Sequence, residues 1–174
     1  MNKLMTAIFA SAFLCLSSFS LVWADGWGNT NWGMNIPQVE EAVKGKLISH
    51  RQDIPPKGYS HKLQDNISIG DCKFEVYFNF EGSKLDKVSL DAASSELSKV
   101  YLYLKDELQK KYGSPSAGPK LKKESFGFMY TVEWMSKDTV INLVHFFYKF
   151  DEKDAVQGTS VHYSSRQSAS SDSL

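Results

Sequence analysis

Residues 74–92 read FEVYFNFEGSKLDKVSLDA, and this stretch decides the fold. Phe74, Val76, Phe78 and Phe80 alternate with Glu75, Tyr77, Asn79 and Glu81. A period of two, with one oily face and one polar face, marks a half-buried antiparallel strand. Glu81–Gly82–Ser83 turns the chain, and Val88, Leu90 and Ala92 form the returning strand. Upstream, Leu63, Ile67 and Ile69 lead into Gly70–Asp71, a two-residue hairpin signal. A three-stranded meander is expected here.

Each flank of this meander carries a helix signal. Asn35 caps the first, Gln38 completes a capping box three residues on, and Pro37 falls in the first turn, where its missing N–H costs nothing. Met34 and Val39 are spaced as a hydrophobic staple. Ile36, Val39, Val43 and Leu47 line one face, and Gly45 ends the helix near Lys46. Pro55–Pro56 and Gly58 read as a loop. The second helix opens at Ser94 or Ser95 and repeats Leu97, Tyr101, Leu104 and Leu108, with Val100 beside them. Lys110 and Lys111 suit its negative end, Gly113 its cap, and Pro115 forbids continuation.

A second meander is expected at 128–135, 139–150 and 159–163, with its first turn at 136–138. The order is helix, three strands, helix, three strands. VYFNFEGSKLDKVSL and FFYKFDEKDAVQGTSV echo each other, which suggests repeat-like halves at about 34–92 and 94–163. The expected class is therefore α+β, an antiparallel sheet with helices packed on one face. Serine-rich 164–174 is expected to be a disordered tail.

Residues 1–24 have a basic start at Lys3, an apolar run from Leu4 to Leu16, and Val22–Trp23–Ala24 before Asp25. Such a leader reads as a secretory signal peptide cleaved after Ala24, placing the mature protein in the periplasm or outside the cell. An uncleaved anchor is the alternative, since Leu4 to Ala24 carries no charge. The remaining 25–163 make one domain, long enough to bury a core without staples. With Lys3 removed, the chain is one charge from neutral. Nothing in it steers nucleic acid or an acidic membrane. Lys120, Lys122 and Lys123, cut short by Glu124, read as a solvated loop. Cys72 stands alone once Cys15 leaves, which excludes an intrachain disulfide and reads as a buried, inert thiol.

Trp32–Gly33–Met34, Lys111–Tyr112–Gly113–Ser114–Pro115, Trp134 and Thr139-x-Ile141-x-Leu143 carry a resemblance. The chain resembles secreted bacterial proteins of unknown function built from two helix-plus-meander repeats. It is similar in this to β-lactamase-inhibitor proteins and small outer-membrane assembly lipoproteins. The resemblance implies binding or scaffolding work. The chain departs from the lipoproteins in having no lipidation cysteine at the cleavage point.

Catalytic signatures are missing: no GxSxG elbow, HExxH, P-loop or dinucleotide fingerprint occurs. The expectation is a non-enzymatic protein without cofactor. His50 and His61 flank the proline loop and read as solvated. A turn at Lys153–Asp154 would set His145 opposite His162, making them weak candidates for a metal site that still needs a third ligand. A structural pair is the plainer reading.

Aligning the two echoes puts Val144, Phe146, Tyr148 and Phe150 on the core side. That leaves Ile141, Leu143, His145 and Phe147 on a face too oily for open water. The cover is the Trp27–Trp32 segment, a second copy, or another protein. The expected function is protein contact through this face, with a homodimer or a foreign partner. The alternative is a small-ligand or glycan-binding module using Trp27 and Trp32, and a hydrolase without a recognisable motif comes third.

Overall fold

The computed structural model describes residues 26–52, 58–93, 97–124, 127–149 and 155–166. The leader, the proline loop, the expected opening of the second helix at Ser94 or Ser95 and the tail beyond Arg166 lie outside those residues. In chain order the elements are α1 (Ile36–Val43), β1 (Leu47–Gln52), β2 (Gly58–Leu63), β3 (Ile67–Ile69), β4 (Cys72–Glu81) and β5 (Lys84–Ala92). Then come α2 (Leu97–Tyr112), β6 (Ala117–Glu124), β7 (Gly127–Ser136), β8 (Thr139–Lys149) and β9 (Ala155–Ser165).

All nine described strands join one antiparallel sheet ordered β1-β2-β4-β5-β9-β8-β7-β6, with β3 pairing the start of β4. The 74–92 hairpin forms as its pattern requires. Phe74, Val76 and Phe78 pair with Ala92, Leu90 and Val88, all on one face. A bulge between Asn79 and Phe80 then breaks the alternation and leaves Phe80 half-buried.

Both helices pack on that same face. Val39 of α1 and Val100, Leu104 and Leu108 of α2 share one core with Phe78, Val88, Ile141, Leu143, Val161 and Trp134. The α1 cap is a full capping box: Gln38 N–H donates to Asn35 Oδ1 (3.1 Å) and Asn35 N–H to Gln38 Oε1 (2.9 Å). Trp134 Nε1–H donates to the Gly113 carbonyl (3.1 Å), tying the end of α2 to β7.

Several expectations are corrected. Among the described residues the protein is mostly β, with nine strands and two helices, and not the two helix-plus-three-strand repeats of an α+β fold. Helix α1 ends at Val43, because Lys44 takes a left-handed backbone, φ 53°. Leu47 therefore starts β1, and its N–H bonds Glu40 Oε1 (2.9 Å). Residues 117–124 form the edge strand β6 rather than a loop. Strand β9 runs on through Ser164 and Ser165, which pair with Val140 and Thr139 and so do not belong to a tail. Cys72 is half-buried.

Candidate functional site

The two faces of the sheet differ in kind. Odd-numbered residues of β8 and β9 lie under α2, and among the described residues no helix covers the even-numbered face. The strand register can therefore be read across this open face as rows of neighbouring side chains. One row runs Glu75, Asp91, Ser160, Val144, Thr131, Lys120, from β4 to β6. The next runs Lys62, Tyr77, Ser89, His162, Asn142, Glu133. A third holds Gly158, Phe146, Met129 and Lys122.

Chemically the open face has three zones. At the β4–β5 end, Glu75 accepts from Lys62 Nζ and from Tyr77 OH (2.6 Å). These two hydrogen bonds hold the Glu75 carboxyl below its usual range, Lys62 having the larger effect. Asp91 sits directly opposite Glu75 with no such donors; crowding by the sheet, then the Glu75 charge, push it up to about 6. In the middle, His162 is bonded to Ser160 (2.9 Å) and Ser89 (3.3 Å), and burial lowers its pKa.

Towards β6 the face turns apolar. Met129, Val144, Phe146 and Tyr148 are half-buried and Val156 is exposed, with Lys120 and Lys122 on the rim. The Phe146 ring lies over Gly158, where an added Cβ would come within 2.2 Å of it. It also packs against Tyr148, with centroids 5.7 Å apart.

This phase is the reverse of the expected one. Ile141 and Leu143 are fully buried, and His145 is 9 % exposed under Tyr101 of α2. The cover of that oily face is thus α2, part of the same chain. Phe147 alone stays half-buried, stacked on Phe128 at 5.7 Å. The aligned echo is out of phase by one residue: buried Trp134 and Val132 of β7 pair with Ile141 and Leu143, which sets the odd positions of β8 inward. His145 pairs with Thr159 and His162 with Asn142, because the β8–β9 connection spans five residues and not a two-residue turn. A shift by an odd number moves every side chain to the other face.

The His145–His162 pair does not exist for the same reason, since the two rings lie on opposite faces of the sheet. Among the described residues no cluster of histidine, cysteine or carboxylate could hold a metal ion. His145 is structural. Its Nδ1–H donates to Thr159 Oγ1 (2.8 Å), because the Thr159 proton goes to the Leu97 carbonyl (3.0 Å). His50 and His61 are half-buried rather than solvated; His50 lies against Tyr77, and His61 meets the edge of Phe80.

Trp27 belongs to the core. It is 8 % exposed and edge-on to Phe78, and its backbone is pinned by the fully buried Thr30. Trp32 is half-buried, and its indole N–H donates to Thr139 Oγ1 (3.0 Å). Trp32 also lines a cleft of about 760 Å³ at one end of the sheet.

Among the described residues the fold and its open face define a class: a mostly-β protein of one sheet with its helices on one side. The chain matches no protein-family model, no curated protein and no solved structure. Reading the sequence put Glu75 and Tyr77 on the polar face, where they lie, but missed Asp91 and the Met129–Phe146 corner as surface residues. The available signal was β9, whose even positions Ser160, His162 and Ser164 are polar and whose odd positions Val161 and Tyr163 are apolar.

Proposed function

We propose that this is a non-enzymatic contact domain, exported by its leader, whose open sheet face seats a second copy of the same chain. The observation that carries the reading is the row from Glu75 and Asp91 to Lys120, with Val144 between its charged ends. Strands lie ~4.8 Å apart, so the midpoint between the acids and Lys120 falls beside Val144. A two-fold axis along the strands at that point lays the acids of each copy over Lys120 of the other. It also stacks Val144 and Phe146 on their own counterparts. Such self-complementarity is what a two-fold interface demands.

Size supports the reading too. Eight strands of ~30 Å at ~4.8 Å spacing give a face on the order of 1,000 Å². That exceeds the roughly 800 Å² per partner of a standard interface. An apolar corner of half-buried aromatic and aliphatic side chains is the kind of surface that marks an interaction site.

Sedimentation equilibrium on the mature chain tests this directly. The expected result is a dimer that Phe146→Glu converts to monomer. Asp91→Lys and Lys120→Asp should each weaken it, and the double exchange should restore it. A wild-type chain that stays monomeric across the accessible concentration range overturns the reading. So does a photo-crosslinker at Phe146 that captures only a foreign protein.

A further inference from the structure

The cleft beside Trp32 is a second feature, independent of the open face. Three chain segments converge on it: the 31–33 loop, the β4–β5 turn with Glu81 and Lys84, and the β7–β8 turn with Asp138. The end of β9 closes it with Ser165 and Arg166. These segments are held together by backbone hydrogen bonds. Gly33 N–H donates to the Leu85 carbonyl (2.9 Å), Leu85 N–H to that of Met34 (2.7 Å), and Arg166 N–H to that of Asp138 (2.7 Å). The walls are thus fixed before any ligand arrives.

The lining groups select a ligand class. Three carboxylates, Glu81, Asp86 and Asp138, line the cleft together with Lys84 and Arg166. Phosphate and other anions meet an excess of negative charge, and cations meet two bases. Among the described residues the acids do not converge as a metal site. What suits alternating acceptors and donors is a neutral molecule dense in hydroxyls. The Asn31 amide adds both functions, and the Asp86 carboxylate already accepts from Ser165 Oγ (3.4 Å).

Trp32 supplies the flat apolar surface. Its indole N–H is held by Thr139 and its ring packs against the core, so its orientation is set in advance. About 760 Å³ lies in the range of small-ligand clefts. From these groups together we infer that the cleft binds a short neutral oligosaccharide, with a sugar ring against Trp32 and its hydroxyls shared among Asp86, Asp138 and Arg166.

A glycan array probed with the mature protein, followed by isothermal titration of the best-bound neutral trisaccharide, tests the site. One neutral series should bind saturably, and Trp32→Ala should weaken it at least tenfold, the loss typical of an aromatic anchor. Trp32 also supports the core, so Asp138→Asn and Arg166→Ala, both exposed, are the second test. Each should weaken binding severalfold at unchanged melting temperature. The inference is overturned if no neutral glycan binds, or if binding persists unaltered in Asp138→Asn and Arg166→Ala.

Discussion

At the residue scale, two glycines show how closely the strands and rings approach. A Cβ on Gly127 would lie 1.9 Å from the backbone carbonyl oxygen of Phe147, which is held in the β7–β8 ladder. A Cβ on Gly158 would instead meet the Phe146 ring first, which can swing outward. Overpacking costs about 1–3 kcal/mol, and the outcome depends on what can move. Gly127→Ala should therefore fall at or above the top of that range, and Gly158→Ala near its foot. Thermal unfolding of both variants checks the order; equal losses would mean the strands yield as readily as the ring. The capping box at Asn35 belongs to the same scale. Asn35→Ala should cost about 1 kcal/mol in urea unfolding, the usual loss for an N-cap.

At the element scale, the two outer strands differ. Strand β6 carries Pro119, Lys120, Lys122 and Lys123 along the sheet edge, and Pro119 has no N–H to offer an incoming strand. Such residues blunt an edge against pairing. Replacing Lys120 and Lys123 by threonine with Pro119→Val should raise aggregation on mild heating, followed by light scattering, while the native fold persists. The same residues explain why β6 was illegible in the sequence: edge protection and loop composition use the same side chains. Strand β1 was hidden differently, since Leu47 also fits the helical face of Val39 and Val43. By contrast the 74–92 hairpin, α2 and the Asn35 cap were all legible. Each has a strong local period or a cap with a single geometric solution. The open face was not, because β8 is apolar on both sides: Ile141 and Leu143 on one, Val144 and Phe146 on the other. The strands paired with β8 decide between them: Val161 and Tyr163 of β9 face Leu143 and Ile141, so the signal lies outside β8 itself.

At the scale of the whole molecule, the titrating groups pull in opposite directions. His145 and His162 have pKa values lowered mainly by burial, so the stability they allow at neutral pH is lost as pH falls below 6.5. Glu75, held low by Lys62 and Tyr77, adds a further loss below about 4.5. Asp91 has the reverse sign. Its folded pKa of about 6 lies above the unfolded value of 3.8, so it favours folding at low pH and loses that contribution as pH rises from 3.8 to 6. Solvent reaches this carboxylate, so the effect on folding is discounted to about 0.5 kcal/mol. Its larger consequence is for association. In the two-fold arrangement proposed above, Asp91 must be charged to meet Lys120 of the second copy, and its charged fraction falls as pH drops through about 6. Two symmetric surface pairs at about 0.5 kcal/mol each make roughly a fivefold change in Kd. Dimerisation should therefore be about fivefold weaker at pH 5 than at pH 7.5, although Asp91 itself then opposes folding less. Asp91→Asn should remove most of that dependence and bind as the wild type does at pH 5. Sedimentation equilibrium at the two pH values decides the matter. An unchanged pH dependence in Asp91→Asn would assign it to the buried histidines, acting through the fold rather than through the interface.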